Sequence, residues 1–303
     1  MIGSSDEWSP LKRVIVGSAK YANWPTNDLV FAQESSKTTW TKTPVPSGPV
    51  PEWIVKEADE DLNQLALTLH QLGIQVERPA PRNFPVTDGM YNYCPRDRFL
   101  VYGNTIIDSA MMYPCRDQER ICYDYVLHAH HDIRVMPRDQ GMVMDAANVC
   151  RLGDKMLFLE SASGNRKAYE WLCDQFPNVE IELCNFYAGV HIDSTVVPLR
   201  EGLVLLNGTR VNKDNCPRVF DTWEKIYIND VIEQNFYQYP YASKWIGLNM
   251  LMVDPNTAVV DKNQVELIDI LAQYNIKSIP LELRHSRTLG GGFHCVTLDL
   301  LRQ

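Results

Sequence analysis

A strand-turn-strand pattern returns four times along this chain at a spacing near 50 residues, and no other feature restricts its fold as tightly. Residues 98–108 read apolar, then Gly103-Asn104, then apolar again. Residues 148–160 turn at Gly153-Asp154, 195–207 at Glu201-Gly202, and 251–261 at Asp254-Pro255-Asn256. Short apolar runs flanking such turn residues are the signature of a β-hairpin. The turn residues Gly103, Gly153, Gly202 and Asn256 stand 50, 49 and 54 residues apart. A helical stretch follows each hairpin, at 116–131, 163–176, 216–232 and 263–275. Each then runs into a short extended piece, at 132–138, 179–184, 236–240 and 276–283.

The two ends supply a fifth unit. A lone strand at 11–19 is followed by a helix at 57–73 and an extended piece at 74–80, and the missing hairpin partner is 295–303. The termini should therefore pair and close a ring. The expected fold is α/β: a five-bladed pseudosymmetric propeller of ββαβ modules, one domain over 1–303. Residues 23–55, rich in Pro, Ser and Thr, form an excursion from the first module, read as a lid or rim loop.

The chemistry-bearing residues follow the same period. Asp97, Asp145, His191, Ser243 and Cys295 lie just before or at the start of the hairpins, 48, 46, 52 and 52 residues apart. Equivalent positions of a ring converge on its axis, so two carboxylates, an imidazole, a hydroxyl and a thiol should share one cavity. Singly, each has a plain structural explanation. A cysteine is usually a small buried hydrophobe, a histidine a satisfied core residue, an aspartate a cap or turn. The context of Cys295 argues otherwise, because Gly290-Gly291-Gly292 ahead of it let backbone approach something closely. On a strand, Asp193 would face the same side as His191, and two inward polar groups are costly unless used. His294 should point away from Cys295 if the segment is extended, and is read as structural. His128, His130 and His131 sit where a helix ends and complement its dipole there; no metal site is read from them.

Composition excludes little but excludes it usefully. The net charge of -9 argues against nucleic acid. No stretch approaches the roughly 20 apolar residues that span a bilayer. Eight dispersed cysteines without a CxxC pair or a secretory signal suggest a reduced, cytoplasmic protein. At 45% hydrophobic residues, a sizeable core is available.

Taken in order, EWSPLKRVIVG (7–17), PRD (95–97), DAAN (145–148), HIDST (191–195), ASKW (242–245), NMLMVD (249–254) and GGGFHCVTLD (290–299) carry a likeness from end to end. The chain resembles the amidinotransferase family, whose members move amidino groups onto glycine, inosamine phosphates or toxin precursors and share a five-bladed α/β ring. The resemblance implies Cys295 as nucleophile, His191 as general acid and base, and Asp145 as its supporting carboxylate. It implies Asp97 and Asp193 as binders of the donor guanidinium, Arg210 as binder of the donor carboxylate, and Ser243 near the amino-acid end. Three departures stand against the family's pattern: Ala242 where a second serine is usual near the amino-acid end, Ala188-Gly189-Val190 ahead of His191 in a loop that helps select the acceptor, and a short segment between Asp97 and Asp145.

The implied reaction takes arginine as donor and stores the amidino group on Cys295 as a thiouronium, releasing ornithine. An acceptor amine then collects the group, with glycine the leading expectation. The thiol acidity is expected to be raised by the cationic substrate and a nearby imidazolium, and His191 exchanges acid and base roles between the halves. No cofactor or metal is implied. The partners are small molecules, arginine and an amine, and a homodimer is compatible. A hydrolase on the same fold would replace the amine by water, and a non-catalytic arginine-binding protein would not need Cys295, His191 and Asp145 together.

Overall fold

The computed structural model describes residues 2–37, 43–129 and 132–303. Its repeating element is a three-stranded sheet, present five times. In each, the central strand is antiparallel to one neighbour and parallel to the other. Phe99–Tyr102, Thr105–Asp108 and Ile133–Val135 form one such unit. Val149–Arg151, Lys155–Leu159 and Glu180–Cys184 form the next. Val196–Arg200, Leu203–Asn207 and Glu224–Ile228 follow. Leu251–Asp254, Thr257–Asp261 and Lys277–Leu281 complete the internal four. The fifth is built from both ends: Leu11–Val16 is antiparallel to Thr297–Arg302 and parallel to Gln75–Glu77. The termini thus pair, as the repeat requires. Among the described residues the sheets stay separate rather than merging into one closed sheet.

The hairpin turns fall where the sequence puts them. Gly103, Gly153 and Gly202 adopt φ of +55°, +83° and +81°, a region that strains any residue with a Cβ. Central strands such as Leu203–Asn207 are buried at every position, which explains their continuous apolar runs. The third strands border solvent and are charged at the edge, as in Glu180–Cys184 (EIELC) and Glu224–Ile228 (EKIYI).

Two helix expectations need correction. Over 216–232, the helix shrinks to a 3-10 turn at Arg218–Phe220, and Glu224–Ile228 is the third strand of its unit. The period-2 pattern prevails there, with Ile226 and Ile228 buried and Tyr227 between them exposed. The extended piece expected at 236–240 is consequently not a strand. Over 116–131, the element is a 3-10 helix, Pro114–Tyr123, continued by a single α-turn, Asp124–Leu127. A 3-10 helix stacks positions i and i+3, which aligns the buried, ion-paired Arg116 and Glu119.

Helix Glu52–Gln71 buries Ile54, Ala58, Leu62, Leu65 and Leu69 along one face. Ahead of it, the described part of the 23–55 excursion is packed rather than free. Asp28 caps helix Leu29–Ser36 and also accepts the Cys115 N–H at 2.8 Å. Phe31 of that helix is buried against Tyr113 and Tyr241.

A buried ion network fastens the ends to the middle. The Arg151 guanidinium, on a strand of the second internal unit, donates to both Glu7 oxygens at 2.9 and 2.5 Å and to Asp299 at 2.8 Å. Asp299 also accepts from Arg96 at 2.6 Å and from Arg302 at 2.7 Å. Glu7, Arg96, Arg151, Asp299 and Arg302 are all buried. The guanidinium groups around them hold both carboxyls well below the usual range against the cost of burial. Removing one partner leaves uncompensated charge in the interior. Asp299→Asn is expected to lower the unfolding free energy by about 3–5 kcal/mol; a urea midpoint indistinguishable from the parent's would contradict this.

Candidate active site

Each unit contributes a residue that lies two to eight positions ahead of a hairpin strand. Asp97 lies in the one-turn helix Pro95–Arg98 before Phe99. Asp145 precedes the 3-10 turn Ala146–Asn148, and Ser243 precedes Lys244–Leu248. His191 and Cys295 lie in the turns that lead to Val196 and Thr297. All five line one cavity, joined by Asp193 and Arg210. The Cys295 thiol, a His191 ring nitrogen and an Asp97 oxygen lie within 4.8 Å of one another.

The glycines ahead of the thiol do what close approach requires. A Cβ on Gly291 would come within 2.4 Å of Cys94 Sγ, and one on Gly292 within 2.7 Å of the Asn249 side chain. Asn249 Oδ1 accepts the backbone N–H groups of both His294 and Cys295 at 3.0 Å and so holds the turn. Residues 293–296 form that turn and are not extended. Successive side chains therefore do not alternate as on a strand, and the expectation that His294 points away from Cys295 is overturned. Both reach Asp193 Oδ2, His294 Nδ1 at 2.8 Å and Cys295 Sγ at 3.2 Å.

Charge is arranged around the thiol with care for burial. Burial, and then the Asp193 carboxylate, push the Cys295 thiol well above its usual range, so the empty site holds a thiol. Burial works against protonation of His191, but Asp97, Asp145 and Asp193 outweigh it and raise the imidazole to about 9. His191 Nε2 is 3.0 Å from Asp145 Oδ2, and Nδ1 is 3.6 Å from Asp97 Oδ1. The other Asp145 oxygen accepts the Met112 N–H at 2.7 Å. Asp97 Oδ2 accepts from Arg116 at 2.8 Å, while buried Oδ1 has no hydrogen-bond partner. Burial raises the Asp97 carboxyl, whereas His294 prevails over burial at Asp193 and lowers it to about 2. Arg116 thus engages one oxygen of Asp97 and leaves Oδ1 without a hydrogen-bond partner, while His294 and the Cys295 thiol share Oδ2 of Asp193.

At the far end of the cavity, Arg210 lies 4.1 Å over the Tyr187 ring and donates to Thr195 Oγ1 at 2.8 Å. No carboxylate pairs with it among the described residues, and burial lowers its pKa. Tyr187 donates its hydroxyl to the His191 carbonyl oxygen. Tyr113, Tyr241, Met112 and Ile246 supply apolar wall.

Several functional groups escaped the sequence. Arg116, with Glu119 behind it at 2.7 and 2.9 Å, fixes Asp97; their i,i+3 spacing was the available signal, masked by a helix that looked like surface. Asn249 opens the quoted NMLMVD stretch but bears no chemistry that points to a nucleophile. His128 lies away from the cavity, and His130 and His131 fall outside the described residues.

Cys295, His191 and Asp97 are close enough to suggest a metal ion. An ion there would take up the sulfur and a ring nitrogen to which the sequence assigns nucleophile and acid–base roles, while His191 Nε2 is held by Asp145.

No protein-family model matches the chain. It is 39% identical to inosamine-phosphate amidinotransferase 1 of Streptomyces griseus, over 100% of this chain and 97% of that protein. It is 27% identical to mitochondrial glycine amidinotransferase of Xenopus tropicalis, over 99% of this chain and 82% of that protein. A solved structure of the Streptomyces griseus inosamine-phosphate amidinotransferase superposes with a TM-score of 0.93, covering 100% of this chain and 97% of that one. Dialysis against a chelator is expected to leave turnover unchanged; a loss that zinc or manganese restores would show that the three close donors do hold an ion.

Proposed function

The chain belongs to the amidinotransferase family, and we propose that it carries the amidino group of arginine on Cys295 to the amine of a ring-bearing, anionic acceptor of the inosamine-phosphate kind. The observation that carries the donor half is the thiol in a cavity with Asp97, whose buried Oδ1 has no hydrogen-bond partner, and with Asp193, which the thiol meets at 3.2 Å. A guanidinium laid between them presents its central carbon to Sγ. It also brings a positive charge beside a thiol that the empty site keeps protonated, so the nucleophile ionises as the donor arrives.

In the first half, an Sγ–C bond forms and the bond from carbon to the chain nitrogen of arginine breaks. His191, carried as imidazolium, protonates the departing nitrogen, and the thiol proton restores it. The products are ornithine and a cationic thiouronium. In the second half, the acceptor amine attacks that carbon, His191 passes its proton to Sγ as the C–Sγ bond breaks, and the surplus proton of the amine restores the imidazolium. Asp145 keeps the ring oriented throughout through Nε2, leaving Nδ1 to exchange protons with the substrates.

Arg210, a cation without a carboxylate partner, suits the α-carboxylate of arginine in one half and an acceptor phosphate in the other. Tyr113, Tyr187 and Tyr241 offer aromatic faces to the C–H face of a cyclitol, and Gly189 and Ala242 take little room. Glycine, the first expectation from sequence, uses none of these walls. Ser243 is assigned to the amino-acid end of the donor. We read the five units as blades of an α/β propeller around this cavity, one catalytic domain, since each unit sends it one residue. A cytoplasmic setting suits eight unpaired thiols, of which Cys295 must stay reduced.

Arginine alone should leave one amidino group on the peptide that contains Cys295, seen by rapid-quench mass spectrometry, and Cys295→Ala should abolish both adduct and turnover. Turnover in Cys295→Ala would end the covalent mechanism. An acceptor screen with an inosamine phosphate, glycine, lysine and water should favour the inosamine phosphate by about tenfold or more in kcat/KM, and Arg210→Ala should cost about as much for arginine and for that acceptor but far less for agmatine, which lacks a carboxylate. Faster transfer to glycine would return the acceptor to the simpler choice; urea or citrulline as the main product would make the chain a hydrolase.

A further inference from the structure

His294 has an environment that a merely structural histidine does not need. Its Nδ1 is 2.8 Å from Asp193 Oδ2 and its Nε2 is 3.1 Å from Glu7 Oε2. An ionised carboxylate can only accept, and neutral imidazole donates from one nitrogen alone. Two short contacts to two carboxylates are both satisfied only when both ring nitrogens carry protons.

We infer that His294 is a positioning residue, a buried imidazolium clamped between Glu7 and Asp193, which keeps Asp193 ionised and turned so that Oδ2 meets the Cys295 thiol while Oδ1 is left for the donor guanidinium. This rests on Cys295 as the nucleophile. Every charged or titratable neighbour fits the assignment. Glu7 is neutralised from behind by Arg151, at 2.5 and 2.9 Å, and flanked by Arg96 at 3.6 Å. The Arg96 Nε donates to the His294 carbonyl at 3.3 Å, which ties the backbone of the nucleophile turn to the same network. Asp193 has the thiol and His294 on one oxygen. Cys150, which lines a small space with Glu7, Asp193 and His294, is pushed far up by burial and stays neutral. Burial and Arg96 oppose a charge on His294, and the two carboxylates outweigh them.

The arrangement removes a difficulty in the site. Asp193 is buried and lines a cavity that also holds the carboxyl of Asp97, and a buried carboxylate without a permanent cation would take up a proton and stop attracting a guanidinium. His191 cannot be that permanent cation, because its proton leaves and returns in each half-reaction. His294 lies outside the proton path and supplies a charge that does not change.

His294→Asn retains a hydrogen-bond donor toward Asp193 and removes the charge. The KM for arginine in this variant should rise by about tenfold between about pH 8 and about pH 6, beyond any change in the parent, while kcat at saturating arginine changes less. Equal loss at every pH, or no loss, would overturn the assignment. Nitrogen NMR of histidine-labelled parent protein gives an answer even if the variant fails to fold. The His294 ring should carry both protons at about pH 8, and a single neutral tautomer would overturn the inference. The adduct on Cys295 separates this inference from the one beneath it. If arginine still modifies Cys295 in His294→Asn without the pH-dependent KM, only the role of His294 falls; if the parent itself forms no adduct, the covalent reading falls.

Discussion

The Arg151–Glu7–Asp299 network is the interaction on which the rest of the structure depends. Glu7 comes from the N-terminal segment, Arg151 from the second internal unit, and Asp299 from the C-terminal strand, with Arg96 and Arg302 completing the charge balance. Such a network gives little net stability compared with apolar packing of the same volume. Its value is geometric: it fixes the paired termini against the units that carry Asp97 and Asp145. The nucleophile turn hangs from it, since Arg96 holds the His294 carbonyl and Glu7 holds the His294 ring.

From that frame, the electrostatics of the cavity follow. Carboxylates surround a thiol they make harder to ionise and an imidazole they make easier to protonate. An empty site with this balance is chemically quiet, which protects a thiol that would otherwise be open to oxidation. A guanidinium reverses the balance because it is the cation that the carboxylates lack. In the proposed reaction, recognition of the donor and activation of Cys295 are then one event, and selectivity for a planar cation comes with it.

The donor end and the acceptor end are built differently. Around the thiol, polar groups are held by second ones: Asp97 by Arg116, which Glu119 holds in turn, His191 by Asp145, Asp193 by His294. Toward Arg210 the wall is aromatic, and Tyr241 is itself supported by Trp24 and Phe31 from the 23–55 excursion. That excursion therefore backs the cavity wall through Tyr241 without lining the cavity itself. In the proposed reaction, rigid hydrogen-bonded contacts suit the guanidinium of the donor, and aromatic faces suit a ring-bearing acceptor.

The 50-residue period, with turn residues at fixed offsets, was sufficient by itself to give the five three-stranded units, the pairing of the ends and the convergence of Asp97, Asp145, His191, Ser243 and Cys295, because local turn chemistry and strand patterning are written in consecutive residues. It failed at 216–232, where apolar spacing was compatible with both periods and burial of Ile226 and Ile228 decided for the strand. It failed also at His294, since whether two adjacent side chains diverge or meet depends on a turn held by Asn249, 45 residues earlier in the chain. The sequence determined which chemical groups enter the cavity. Tertiary structure alone decided which oxygen of each carboxylate remains free and which histidine carries a fixed charge, because hydrogen-bond partners such as Arg116, Glu7 and Asn249 come from other parts of the chain and are chosen by packing, not by spacing.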